Sequence, residues 1–217
     1  IIALVKHMKE IGETHRLKQV WFNFPKKEET DEYSVGEGNE LTSLLLEIDG
    51  LFWNNNTSEL LGSTIEFGDI KLHVLAPDHD VAYENKPKEP DELGVRSDDW
   101  YIDLRTLIDN VDDDDIDEGG TNSQSIIILA ECEGKKLLLP GDSTPKKLCD
   151  ALQSYNKTNG TPLELDFMKL PHHGSTRNVT KNILNEVTCS NFIISTKKNN
   201  KYYLPNKETI AKLIRYR

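Results

Sequence analysis

The chain of 217 residues has only three cysteines, Cys132, Cys149 and Cys189, and none belongs to a C-x-x-C pair. That excludes a disulfide framework and a thiolate metal cluster, and fits a reducing, cytoplasmic setting. No apolar run approaches the ~18 residues that span a bilayer; the longest are pieces such as Ile126–Ala130. The opening residues, Ile1 to Lys9, are too short and too soon charged for a signal peptide. Apolar residues make up 36% of the chain, below the roughly 45–50% of ordinary globular domains, so part of it should be solvated. Basic residues are also scarce: 26 against 37 acidic, a net charge of −11. Such a balance excludes a protein that coats nucleic acid through overall charge.

The charge is nevertheless uneven. Residues 176–217 hold nine basic residues (Arg177, Lys181, Lys197, Lys198, Lys201, Lys207, Lys212, Arg215 and Arg217) against Glu186 and Glu208, a net +7 that leaves −18 on the rest. A nucleic acid partner would be drawn to that segment, although lysines on solvated helices explain it equally.

Hydrophobic periodicity predicts alternating strands and helices, an α/β layered domain of one unit spanning 1–217. Helices are expected over Ile1–Ile11, Glu40–Ile48, Pro145–Tyr155, Asn178–Val187 and from Pro205 to Tyr216. Strands are expected over Lys18–Phe24, Ile70–Leu75, Leu163–Leu170 and Asn191–Thr196, with a hairpin of Ser125–Glu131 and Lys135–Leu139 about Glu133-Gly134. Between them, 78–120 reads as an acidic surface insertion with one modest apolar stretch, Trp100–Ile108. Its extreme, Asp109–Glu118, lacks the glycine and glutamate spacing of an EF-hand and reads as a self-repelling loop. Such a surface is a possible docking site for a partner protein.

Two strand ends carry chemistry. Leu137-Leu-Leu-Pro-Gly141-Asp142 delivers a carboxylate past an apolar strand. Asp166-Phe-Met-Lys-Leu170-Pro-His172-His173-Gly174-Ser175 delivers two imidazoles past another. Carboxylate and imidazole on rigid strand ends suit a divalent metal. A plain Gly-Asp turn and a hydrogen-bonding histidine pair explain the same residues without one. Neither motif alone supplies enough ligands. Asp78-His79-Asp80 reads as solvated loop, His73 as a hydrogen-bonding strand residue, and Trp21, Trp53 and Trp100 as packing residues.

The series Asn122-x-x-Ser125-Ile-Ile-Ile-Leu, Gly134 to Gly141-Asp142 and Leu170-Pro-His172-His173-Gly174-Ser175, followed by Phe192–Ser195 and Tyr203-Leu204-Pro205, resembles the metallo-β-lactamase superfamily, and within it the ComEC-like branch. The likeness covers 122–205; Val20–Asn23 and Gly68–Pro77 match more weakly. It implies an αββα sandwich with two divalent metal ions, zinc or manganese. Asp142 would bridge them, His172 or His173 would be a ligand, with a lean to His173, and Asn122, Ser125, Ser175 and Arg177 would lie at the substrate. A metal pair about 4 Å apart activates water for attack on a phosphodiester, so the resemblance implies a phosphodiesterase or nuclease, and relatives in defence systems against foreign DNA. Two alternatives stand beside it: a hydrolase of small esters, lactones or phosphocholine-like groups, and a degenerate, partner-binding subunit. The chain departs from the family pattern at Leu204, where relatives often carry histidine, and in having no His-x-His-x-Asp-His motif. Because Ile1–Ile11 reads as the helix that follows this motif, the expectation is that the motif and first strands precede Ile1 in a longer protein.

Overall fold

In a computed structural model the described residues are 1–23, 33–54, 56–78, 98–119, 122–160, 162–196 and 202–217. Expectations for Phe24, for 79–97, which includes His79 and Asp80, and for Lys197, Lys198 and Lys201 therefore lie outside them. The class is mixed α/β. Helices are α1 (Ile2–Glu10), α2 (Tyr33–Leu46), α3 (Leu104–Asp109), α4 (Pro145–Asn159), α5 (Lys181–Asn185) and α6 (Lys207–Tyr216). Strands are β1 (Gln19–Trp21), β2 (Phe52–Asn54), β3 (Thr64–Phe67), β4 (Ile70–Ala76), β5 (Ile127–Cys132), β6 (Lys135–Leu139), β7 (Leu163–Glu164), β8 (Phe167–Lys169), β9 (Val187–Thr188) and β10 (Phe192–Ile193).

One mixed six-stranded sheet, ordered β10-β8-β6-β5-β4-β3, organises the molecule. Its β5–β6 hairpin closes on Glu133 and Gly134, both at positive φ, the backbone a tight two-residue hairpin requires. From β6 the pairing turns parallel, through β8 to β10. The ribbons β1–β2 and β7–β9 are each two strands wide. The expected strand Leu163–Leu170 is thereby split between a ribbon and the sheet. Asp166 makes the break: its carboxylate leaves the strand to accept the Lys136 N–H at 2.9 Å and to pair with Lys135 at 2.8 Å. The strand expected over Asn191–Thr196 is paired only at β10, and the helix expected from Asn178 begins at Lys181, behind a Thr180 cap.

Alternation along the register divides the sheet faces. Ile127, Leu129, Leu138 and Met168 point to one side and are fully buried. There they meet Leu148 and Leu152 of α4, one helical turn apart, and Ile183 of α5. The opposite face carries Ile65, Phe67, Ile70, Leu72, Val74, Ile128, Ala130, Leu137, Leu139, Phe167 and Ile193. Phe67, Ile70, Phe167 and Ile193 remain exposed on it. A second, smaller core of Val5, Leu41, Leu45 and Ile48 joins α1, α2, Val20 and Trp53. Asn23 ties it to the sheet domain, accepting from Thr57 N–H and hydroxyl at 2.9 and 2.7 Å and donating to the Gln124 carbonyl at 3.2 Å.

The described part of the acidic insertion, 98–119, is packed structure rather than a solvated loop. It carries α3, which lies along α6, and Asp99 accepts from the Lys207 and Glu208 N–H groups at the start of α6, each at 2.8 Å. Asp113 pairs with fully buried Lys212 at 3.0 Å and accepts from the Tyr216 hydroxyl at 2.8 Å. Self-repulsion among the aspartates is relieved where Asp113, Asp115 and Asp117 each find separate cations or donors. Asp113 and Asp115 of the acidic run thus pair with Lys212 and Arg177 of the basic C-terminal segment.

Candidate functional site

The parallel strands β6, β8 and β10 end on the same edge of the sheet, the place where open α/β sheets bind ligands. Asp142 follows β6, His172 and His173 follow β8, and Ser195 follows β10. His172 (φ 43, ψ 51) and His173 (φ 57, ψ 20) are consecutive left-handed residues, followed by Gly174 at φ 83. A non-glycine residue there costs on the order of 1–2 kcal/mol, so the surroundings must hold the loop. They do so from several sides. The His172 N–H donates to the Gly141 carbonyl at 3.2 Å. The Gly174 carbonyl accepts from the Asn206 N–H at 3.1 Å and the Thr209 hydroxyl at 2.7 Å. A Cβ on Gly174 would sit 2.8 Å from Cβ of Pro205, so only glycine fits.

The two imidazoles divide their roles. His173 Nδ1 lies 2.6 Å from the Ser195 carbonyl. A carbonyl only accepts, so Nδ1 carries a proton, and in the neutral ring Nε2 is the acceptor. That Nε2 stands 3.7 Å from Asp142 Oδ2, and both side chains are about half exposed, at 44% and 41%. Two acceptors face each other across a gap open to solvent. Asp142 is aimed there by Ser125, whose hydroxyl oxygen accepts the Asp142 N–H at 3.2 Å.

His172 turns inward instead. Its Nδ1 is 3.2 Å from Asn178 Oδ1 and 3.5 Å from Asp117 Oδ2. Asp117 is buried, and its carboxylate accepts from Asn122 and Asn178 side chains and the Gly119 N–H, each at 2.8 Å. Burial opposes ionisation of Asp117, but these hydrogen bonds outweigh it and hold the carboxyl well below the usual range. Burial likewise opposes charge on His172, but the Asp117 and Asp142 carboxylates and the Asn178 hydrogen bond together outweigh it and raise the imidazole above its ordinary value. Asp117 was not singled out from the sequence. Its only signal was a place at the end of an acidic run, two residues before a glycine.

The other expected substrate residues are placed as follows. Ser175 is buried, its N–H on the His172 carbonyl at 3.0 Å. Asn122 serves Asp117 and also stands 3.4 Å from His172 Nδ1. Arg177 donates to Asp115 at 2.8 Å and to the Ile116 carbonyl at 3.2 Å. So Asp142, His173 and Ser125 are gathered at the open edge, while His172, Asn122 and Ser175 hold the loop from behind and Arg177 holds the insertion at Asp115 and Ile116. Lys169, also missed, donates from the end of β8 to the Gly141 carbonyl at 3.3 Å and the Leu170 carbonyl at 3.1 Å. His73, read as a hydrogen-bonding strand residue, shares a contact of 2.9 Å with the Thr64 hydroxyl.

Carboxylate oxygen and imidazole nitrogen suit zinc or manganese. Among the described residues, however, no three His, Cys, Asp or Glu side chains gather to hold a metal. Asp142 and His173 supply two donors, too few for one closed site and far too few for the two ions that the resemblance implies. No protein-family model matches the chain, and no curated protein matches it.

Proposed function

We propose that this chain belongs to a hydrolase of the metallo-β-lactamase type, acting on phosphodiester bonds, with Asp142 and His173 as the donor pair of its reaction centre. One observation carries this reading: the proton of His173 is fixed on Nδ1 by Ser195, so Nε2 and the Asp142 carboxylate confront each other as two acceptors. Such a pair calls for a cation or a shared proton between them. The remaining donors would come from beyond the described residues, and two of them do not make a centre. In its own right His173 Nε2 can take a proton from a water in the gap beside Asp142. The αββα arrangement belongs to the same proposal. Its support is the apolar face of the sheet bearing Phe67, Ile70, Phe167 and Ile193, the kind of face a second sheet covers.

Nucleic acid as substrate, a partner protein on the acidic insertion and a cytoplasmic setting are part of the same proposal. No helix among the described residues is long and apolar enough to cross a membrane. A compact phosphodiester is the second reading, and the internal pairing of Arg177, Lys207, Lys212, Arg215 and Arg217 favours it. The test is hydrolysis of bis(p-nitrophenyl) phosphate and of single-stranded DNA with manganese or zinc. Asp142→Asn and His173→Ala should each lower kcat by about 100-fold or more. Full activity in both variants would remove the site assignment.

A further inference from the structure

Lys169 ends β8 on the apolar face of the sheet, beside Phe167 and Ile193. A half-buried ammonium there needs a reason, because burial opposes its charge and the Asp142 carboxylate only partly restores it. Its two acceptors supply one part of that reason. The Gly141 carbonyl directly precedes Asp142, and the Leu170 carbonyl directly precedes the Pro171-His172-His173 loop. The ammonium thus sits between the two loops that carry the candidate pair. It has three N–H donors, and two are engaged.

The other cations of this region are differently placed. Arg177 is bonded to Asp115 and Ile116, Lys212 is fully buried among carbonyls and Asp113, and Lys181 stacks over Tyr216 at 5.7 Å from the ring centre. Asp142 itself repels an anion, so an anionic substrate needs a fixed positive charge within the same loops. We propose that Lys169 is the substrate-binding residue of this site, donating its remaining N–H to a phosphoryl oxygen of a phosphate ester held between Asp142 and His173. The assignment of the pair as reaction centre rests on the hydrolase reading; the anion contact at Lys169 is tested apart from it.

Inorganic phosphate is the probe. It is titrated into the full 217-residue chain, with backbone amide shifts of Asp142 and His173 and heat of binding as readouts. Wild type should bind at millimolar concentration, Lys169→Met about tenfold more weakly, and Lys169→Arg close to wild type, since arginine restores charge and donors. Lys181→Gln should leave binding unchanged. Melting curves of both Lys169 variants establish that they are folded, and the arginine variant keeps the test open if methionine disturbs the loops. Phosphate affinity equal to wild type in Lys169→Met, or no phosphate binding by wild type, overturns the assignment. The hydrolase reading fails separately, on unchanged turnover in Asp142→Asn and His173→Ala. Phosphate binding lost in Lys169→Met with that turnover unchanged would leave an anion site that is not a reaction centre.

Discussion

At the scale of single residues, the site depends on a loop held in an unfavourable backbone conformation. Gly174→Ala would place a methyl at 2.8 Å from Pro205 at φ 83, and should cost about 2 kcal/mol or more, read as a lowered Tm. Asp117 is the larger dependency. Replacing it by alanine leaves the Asn122 and Asn178 amides, the Gly119 N–H and His172 without their buried acceptor. The expected loss is about 3 kcal/mol at neutral pH. The pH dependence has a definite sign. A carboxyl lowered in the folded state adds stability that is complete above its unfolded value, 3.8, and is lost as pH falls through the lower folded value. The raised pKa of His172 acts oppositely, adding stability below its unfolded value, 6.5, that fades as pH rises through the folded one. Urea unfolding of wild type and Asp117→Asn from pH 7 to pH 3 checks the first. The gap between them should narrow below pH 4, and a constant gap would mean that Asp117 is not ionised in the fold.

At the scale of elements, the C-terminal helix α6 is held by the segment that looked least structured. Asn206 precedes it without capping it, because its side chain accepts the Thr176 N–H at 2.9 Å. Asp99, far away in sequence, caps the helix instead. Asp99→Ala should therefore lower stability by about 1 kcal/mol, measured by thermal melting, and an unchanged Tm would show the cap to be without weight. This is also where reading the sequence succeeded and failed. Local periodicity located α1, α4, β4 and the β5–β6 hairpin, since each is specified by its own apolar spacing and turn residues. The start of α2 at Tyr33 was not legible, because Gly36 and Gly38 weaken helix propensity in its first turns. The strands β2 and β3 were missed because three or four residues carry too little pattern. Asp142 and His173 were legible as strand-end chemistry. Asp117 and Lys169 were not, because their roles come from partners dozens of residues away or across the sheet.

At the scale of the whole molecule, the charge asymmetry of the sequence changes meaning. A segment of +7 beside a body of −18 suggests a cationic track for a polyanion. In the fold, Arg177 and Lys212 meet Asp115 and Asp113, Lys207 and Arg215 meet backbone carbonyls of 100–108, and Arg217 meets the Leu184 carbonyl. These cations cannot release many counterions from a bound strand without giving up their own partners, and Lys212 is sealed from solvent. Each released counterion would otherwise add about one unit to the salt slope of binding. A protein with six to ten phosphate contacts loses roughly 10³–10⁵ in affinity between about 50 and 200 mM salt. Here the same change should weaken binding of single-stranded DNA by less than about tenfold, as expected for one or two contacts. Fluorescence anisotropy with a labelled oligonucleotide at several salt concentrations measures the slope. A steep slope would show that Lys181 and the lysines at 197, 198 and 201 form the track after all, and would favour nucleic acid over a compact phosphodiester. A shallow slope would place recognition in the loops after β6 and β8, where substrate chemistry rather than overall charge decides what binds.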